Sequence, residues 1–275
     1  MFGFLVKKNF CDIWDNMFHL IIVNLFLIVC TVAGLALCYF VSAIPGTEGF
    51  KMLYQIIMFF IVMAVLGALV FAEGDNAAKI ANFGTAKLGA YFSNIGSSFK
   101  DGALFGLFVA LLSAVAFVTI PFYFRIWIPA DGSEGSTWGL ALLAIVFWLL
   151  IITVLALQWF LPIRSLMHNP FLKCLKKCYI LFFDNVGFTI ALFLNNLLLI
   201  LISIFTIGLI PSISGITLAN TNALRLRLYK YDWIEVNPGL TKEQLRDVPW
   251  DELLQTDKET LGPRKLKSFF FPWKQ

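Results

Sequence analysis

The chain has 275 residues, of which 59% are apolar and only 14% charged, with 29 Phe and a net charge of +4. A soluble domain carries about a quarter charged residues. The composition therefore excludes a soluble enzyme, a disordered chain and a nucleic-acid binder with a basic face. What it predicts is an all-α, polytopic integral membrane protein, with the lipid bilayer as its first partner.

A helix needs roughly 20 apolar residues to cross about 30 Å of hydrocarbon. Stretches free of Asp, Glu, Lys and Arg predict spans at 20–44, 52–72, 102–124 and 138–163. The first has a small-residue site at Val41-Ser42-Ala43, but its apolar run is too long for a signal-peptide h-region and reads as an uncleaved helix. The last apolar stretch, Asn185 to Leu224, is too long for one crossing. It breaks at Gly208-Leu209-Ile210-Pro211, because Pro lacks an N–H and disfavours helix in the residue before it. Two short spans follow, 186–207 and 211–229. The expectation is thus a six-span membrane domain over 1–230 and a cytoplasmic tail over 231–275.

Six crossings put both ends on one side. All but Lys51 and Arg125 of the 21 basic residues fall in the N-terminal segment, the second and fourth connections, and the tail. Basic residues stay on the cytoplasmic side of a membrane, so both termini are expected in the cytoplasm of a multi-pass plasma (inner) membrane protein. Five crossings would put Arg225, Arg227 and Lys230 outside.

Two connections read as cytoplasmic interfacial helices. In the second, Ile80, Leu88, Tyr91, Phe92, Ile95 and Phe99 recur at helical spacing, with Lys79, Asn82, Ser93 and Lys100 mostly opposite. In the fourth, Phe171, Leu172, Leu175, Tyr179, Phe182 and Phe183 alternate with Lys173, Lys176 and Lys177. Lys and aromatic residues in that pattern anchor a helix at the interface.

The tail is too short for a core of its own. Thr241-Lys242-Glu243-Gln244 has a capping-box pattern, and Pro249 opens a further turn of helix. An acidic middle gives way to a basic and aromatic end. Trp250, Leu253, Leu254, Phe269, Phe270, Phe271 and Trp273 are the candidates for binding a protein partner at the cytoplasmic side. The alternative is that these residues pack back onto the chain's own helices.

Chemistry is hard to place. The apolar stretches that define the spans hold no Asp, Glu, Lys or Arg, which coupled transporters and intramembrane enzymes usually need. His19, at the start of the first span, and His168, in the turn His168-Asn169-Pro170, read as interface residues. No His-Glu-x-x-His run is present, and Ser212-Ile213-Ser214-Gly215 has no histidine in a span to serve as base. Cys174 and Cys178 share one helix face but offer only two of the ligands a tetrahedral metal needs. No catalytic, cofactor or metal site is expected. An enzyme acting on a lipid would draw on Glu73, Asp75, Asp101, His168 and Asp184 at the cytoplasmic rim. The remaining polar face is Asn24, Asn195, Asn196, Ser214, Asn220 and Asn222. It reads either as interhelical packing or as a pathway for a neutral solute.

Val23-Asn24-Leu25 leading to Ala43-Ile44-Pro45, Ser98-Phe99-Lys100-Asp101-Gly102 and Phe160-Leu161-Pro162-Ile163-Arg164 together resemble the YesL-like family of small bacterial membrane proteins. The resemblance covers about 10–224 and leaves out the tail. Members are often encoded near sugar-uptake ABC transporters. The resemblance therefore implies a non-enzymatic accessory subunit, with an ABC transporter component as a possible partner, and it supplies no site residues.

Overall fold

The computed structural model describes residues 1–130, 134–239, 241 and 244–264. Phe269, Phe270, Phe271 and Trp273 lie outside the described residues. Everything ordered into an element is helical: α1 (Phe2–Asp15), α2 (Met17–Ser42), α3 (Glu48–Ala72), α4 (Gly74–Ala81), α5 (Leu88–Trp127), α6 (Thr137–Leu157), α7 (Phe160–Met167), α8 (Phe171–Asp184), α9 (Val186–Phe205), α10 (Ser212–Val236), α11 (Trp250–Leu253) and α12 (Gln255–Leu261), with a single 3-10 turn at Gln244–Arg246.

Five helical stretches are long and apolar enough to cross a membrane: Met17–Ser42, Glu48–Ala81, Leu88–Trp127, Thr137–Met167 and Val186–Phe205. The sixth expected span, α10, is not among them. It carries Arg225, Arg227, Lys230, Asp232 and Glu235 besides a dense set of Asn, Ser and Thr. The break after α9 does fall at 206–211, as the Gly and Pro there require.

The second connection differs from the single amphipathic helix its periodicity predicts. α4 ends at Ala81, and Phe83 takes a left-handed conformation (φ 59°) that stops it. The chain then restarts at Leu88 and does not stop until Trp127. The turns carrying Tyr91, Phe92, Ile95 and Phe99 are thus the beginning of a long helix. The cause is Tyr91, which is fully buried and donates its hydroxyl to the Leu69 carbonyl at 3.2 Å, locking the start of α5 against the end of α3. The fourth connection does hold a separate helix, α8. It buries Cys174, Cys178 and Phe182 and leaves Leu172, Ile180 and Phe183 exposed.

Burial divides the bundle into two parts. One end holds α1, α4, α7, the start of α2 and α5, the end of α3 and nearly all of α10, and most buried residues lie here. Helices α2, α3, α5 and α6 then run on, their outer turns covered with exposed Phe, Leu, Ile and Trp such as Tyr39, Phe117 and Trp148. Such an apolar surface suits hydrocarbon rather than water.

α3 and α5 make the closest contact between elements. A Cβ at Gly106 would collide with the Met63 carbonyl, and one at Gly67 with the Gly102 carbonyl. Small residues allow this approach of two backbones, the usual basis of helix association in lipid.

α9 and α10 run antiparallel. Asn185 Nδ2 donates to the Tyr231 hydroxyl (2.7 Å), Asn196 Nδ2 to Asn220 Oδ1 (2.7 Å) and the Ser212 N–H to Ser203 Oγ (2.7 Å). Their turn meets α2 at Asn24 and Ile28. From Ile28, α2 continues to Ser42, roughly 21 Å further at 1.5 Å per residue. The hairpin is therefore much shallower than the four helices beside it. Its tip is bare and apolar, with Phe205 89% and Ile207 86% exposed. The two described ends of the chain meet at the opposite, polar end: Lys7 Nζ donates to the Gly262 carbonyl (3.3 Å), and Arg264 pairs with Asp15.

Replacing Gly106 by Leu is expected to cost on the order of 3 kcal/mol, because backbone atoms cannot yield to the new side chain. Thermal unfolding of purified protein in detergent checks this. Gly96→Ala, with open space around the site, is the control and should leave the midpoint unchanged or raised.

Candidate functional site

The polar residues that the sequence singles out do not form one face around an opening. They fall into three buried hydrogen-bonded groups, all centred on α10. In the first, Asn24 on α2 clamps the α9–α10 turn. Its Nδ2 donates to the carbonyls of Leu209 (2.8 Å) and Pro211 (2.9 Å), and its Oδ1 accepts from the Ser214 N–H (3.0 Å) and hydroxyl (2.8 Å). The bare carbonyls and N–H of a turn placed among apolar helices need such partners. Asn24 meets three of these needs, and the Ser214 hydroxyl besides, with one amide.

The second group joins α6, α9 and α10. Asn196 Nδ2 donates to Asn220 Oδ1 and also to Gln158 Oε1 (3.3 Å), while Gln158 donates to the Thr189 carbonyl (3.0 Å). Asn195, the residue before Asn196, does not join; its Nδ2 is buried and has no hydrogen-bond partner among the described residues. The third group lies where α1 meets α10. Asn222 Nδ2 donates to Asn9 Oδ1 (2.9 Å) and Asp12 Oδ2 (2.8 Å), and Asp12 also accepts from Lys8 Nζ at 2.8 Å. Lys8 is fully buried and lies 3.9 Å above the Phe83 ring. Burial pushes the Lys8 ammonium below its ordinary pKa, with Asp12 drawing it partly back; burial likewise pushes the Asp12 carboxyl up, against the pull of Lys8.

Within these groups the side chains stand at hydrogen-bond distance from each other. Lys8, Asn9, Asp12 and Gln158 are partners the sequence analysis missed. Lys8, Asn9 and Asp12 lie on α1, before the first predicted span, and Gln158 is a single amide in a largely apolar stretch. His19 was read as an interface residue. It is buried and hydrogen-bonded through Nε2 to Glu73 (2.8 Å), a contact joining the start of α2 to the end of α3.

The tail residues are also placed by their own chain. Leu254 is 1% exposed and belongs to the main apolar cluster with Leu226 and Phe188; Trp250 packs on the same cluster. Arg227 lies 3.9 Å above the Phe188 ring and 5.7 Å from that of Trp250. Leu253 is half-buried. Asp257 takes a two-pronged contact from Arg225 and a hydrogen bond from the Tyr229 hydroxyl (3.1 Å). The capping box is formed: Gln244 Oε1 accepts from the Thr241 N–H (2.9 Å), and Thr241 Oγ1 accepts from the Gln244 N–H.

A separate feature is a polar cleft where α4, α5 and α7 meet, made of two adjoining cavities of about 180 and 560 Å³. Asp75, Ser165 and His168 line both, and Ser98, Asp101 and Arg164 line the smaller. Arg164 is held by Asp101 through Nε. His168 ends α7 in a left-handed conformation (φ 48°). Three of the five rim residues considered for lipid chemistry, Asp75, Asp101 and His168, thus share one cleft. Glu73 is committed to His19, and Asp184 to Tyr231 and Lys230 elsewhere.

No family model, no curated protein and no solved structure matches the chain.

Asn24→Leu is expected to destabilise the protein by about 2 kcal/mol or more, since it strands buried backbone groups at the turn. Adding Ser214→Ala should cost little beyond that, as the two act as a unit. Thermal midpoints of the single and double variants decide it, and an unchanged midpoint for Asn24→Leu would refute the clamp.

Proposed function

We propose that α2, α3, α5 and α6 cross the plasma membrane, while α9 and α10 form a hairpin that enters it from the cytoplasmic side and turns back. Four crossings and one returning hairpin keep both termini in the cytoplasm, just as six crossings would. Both arrangements agree with the distribution of basic residues. The shallow turn beside Asn24 and Ile28 favours the hairpin. The polar cap formed by α1, α4, α7 and α10 then lies at the cytoplasmic surface.

On this membrane domain we infer a non-enzymatic, accessory role: a subunit that holds a protein partner at its cytoplasmic end. A partner from a solute-uptake complex fits the family resemblance. The observation that carries this is the fastening of the tail. Leu254, Asp257 and Arg264 bind it to the body at three points, and it runs back beside α1. Arg264, the last described residue, is therefore held on the cap, and the basic and aromatic residues 265–275 follow it in sequence. Trp250 and Leu254 are spent within the chain, which narrows the partner contact to Leu253 and Phe269, Phe270, Phe271 and Trp273. The alternative of a neutral-solute pathway through Asn24, Asn195, Asn196, Ser214, Asn220 and Asn222 draws less support, because five of these six are hydrogen-bonded within the packed groups described above.

Purification from native membranes in mild detergent tests the partner. The wild-type chain should bring down a protein in stoichiometric amount, and Phe270→Ala with Trp273→Ala should lose it while keeping the wild-type melting temperature. Equal recovery of that protein with the double variant would contradict the tail as the contact.

A further inference from the structure

The cleft between α4, α5 and α7 has features that the packed polar groups lack. Ser165 is 4% exposed, lines both cavities and has no hydrogen-bond partner for its Oγ among the described residues. A buried hydroxyl left unpaired costs free energy unless something in the cleft meets it. Arg164 is anchored to Asp101 through Nε alone, so its two terminal nitrogens have no hydrogen-bond acceptor among the described residues. The anchor fixes the guanidinium plane while leaving its paired N–H edge available. That is the geometry in which arginine takes two oxygens of a phosphate. Asp75 also lines both cavities and has no hydrogen-bond or ion-pair partner among the described residues. A free anion would be repelled by that carboxylate. A ligand carrying a phosphate and, a few ångströms away, an ammonium would satisfy both groups.

We propose that this cleft binds a phosphoethanolamine group. Arg164 and Ser165 hold the phosphate oxygens, and Asp75 takes the ammonium. His168, fixed at the end of α7, closes the polar wall. The location favours a lipid as its source. The cleft opens at the end of α3, beside Phe71, and on the turn of α5 where Asp101 and Gly102 give way to the apolar run. On the proposed topology this is the depth of lipid headgroups; the binding chemistry itself does not depend on that topology or on the partner of the tail.

The test uses the full-length protein in detergent, titrated with dihexanoyl-phosphatidylethanolamine, with dihexanoyl-phosphatidylglycerol, and with free O-phosphoethanolamine. The two lipids share the phosphate, and only the first has an ammonium. Wild type should favour the ethanolamine lipid by about tenfold, the worth of one charge-assisted hydrogen bond. Asp75→Asn should erase that preference without moving the melting temperature, since Asp75 has no partner to lose. Arg164→Gln should weaken both lipids. Because Arg164→Gln also breaks the pair with Asp101, Ser165→Val provides a second probe of the phosphate position. Free O-phosphoethanolamine binding as tightly as the lipid would support the chemistry and assign the source to the soluble pool; binding much more weakly would support it and assign a lipid. Equal affinity of wild type for the two lipids, or a preference that survives Asp75→Asn, would overturn the proposal.

Discussion

One amide, that of Asn24, sets how the last third of the chain can be arranged. A turn between two helices exposes carbonyls and N–H groups that need partners among apolar helices. Ser203 on α9 and Thr206 at its end meet some of them, and Asn24 ties others to α2. Asn24 takes three such bonds, and one from the Ser214 hydroxyl, at one point of α2. The turn is thereby tied near the first third of that helix. α9 and α10 must pack at this depth, α10 must return through the middle of the cap, and its polar side chains must find partners there. Asn220 does so with Asn196 of α9, which also reaches Gln158 at the end of α6, and Asn222 with Asn9 of α1.

The outer half of the bundle obeys a different rule. Its polar side chains, such as Thr31, Ser113 and Thr119, bond back to their own helices, and the helices meet through close backbone contact. Gly67, Gly102 and Gly106 bring α3 and α5 together, and Gly139 on α6 packs against Ile126 and Trp127 at the end of α5. The same chain thus combines a hydrogen-bonded cap with glycine-packed helices that offer an apolar surface. The cap is where charge is buried, as with Lys8 against Asp12, and it is where a ligand-sized cleft opens.

The helical class and the first four apolar helices were legible in the sequence, because long runs without charge can be little else. The break at Gly208 to Pro211 was legible too, from the chemistry of Pro. Depth was not. A run of apolar residues has the same composition whether it crosses a membrane or turns back inside it, and the contact of the turn with Asn24 belongs to no local pattern. α1 escaped notice because its helix has no membrane-length run and its Lys8 reads in the sequence only as one of the cytoplasmic basic residues, not as a buried ion. The continuity of α5 was hidden as well: Lys100 and Asp101 interrupt the apolar pattern without interrupting the helix. Of the cleft, Asp75, Asp101 and His168 were recognisable as rim residues. Their convergence with Arg164 and Ser165 depends on the fold of α7, which no local pattern announces.

Cysteine accessibility in intact cells tests the arrangement of the hairpin most directly. Gly46→Cys, in the connection between α2 and α3, and Ile207→Cys, at the bare tip of the hairpin, are compared with the wild-type chain as baseline for its five native cysteines. A membrane-impermeant maleimide added from outside should label Gly46→Cys. Ile207→Cys should resist the reagent from outside cells and in inverted vesicles, and react only after detergent is added. Labelling of Ile207→Cys from outside would mean that α9 and α10 cross the membrane fully, and would contradict the arrangement described here.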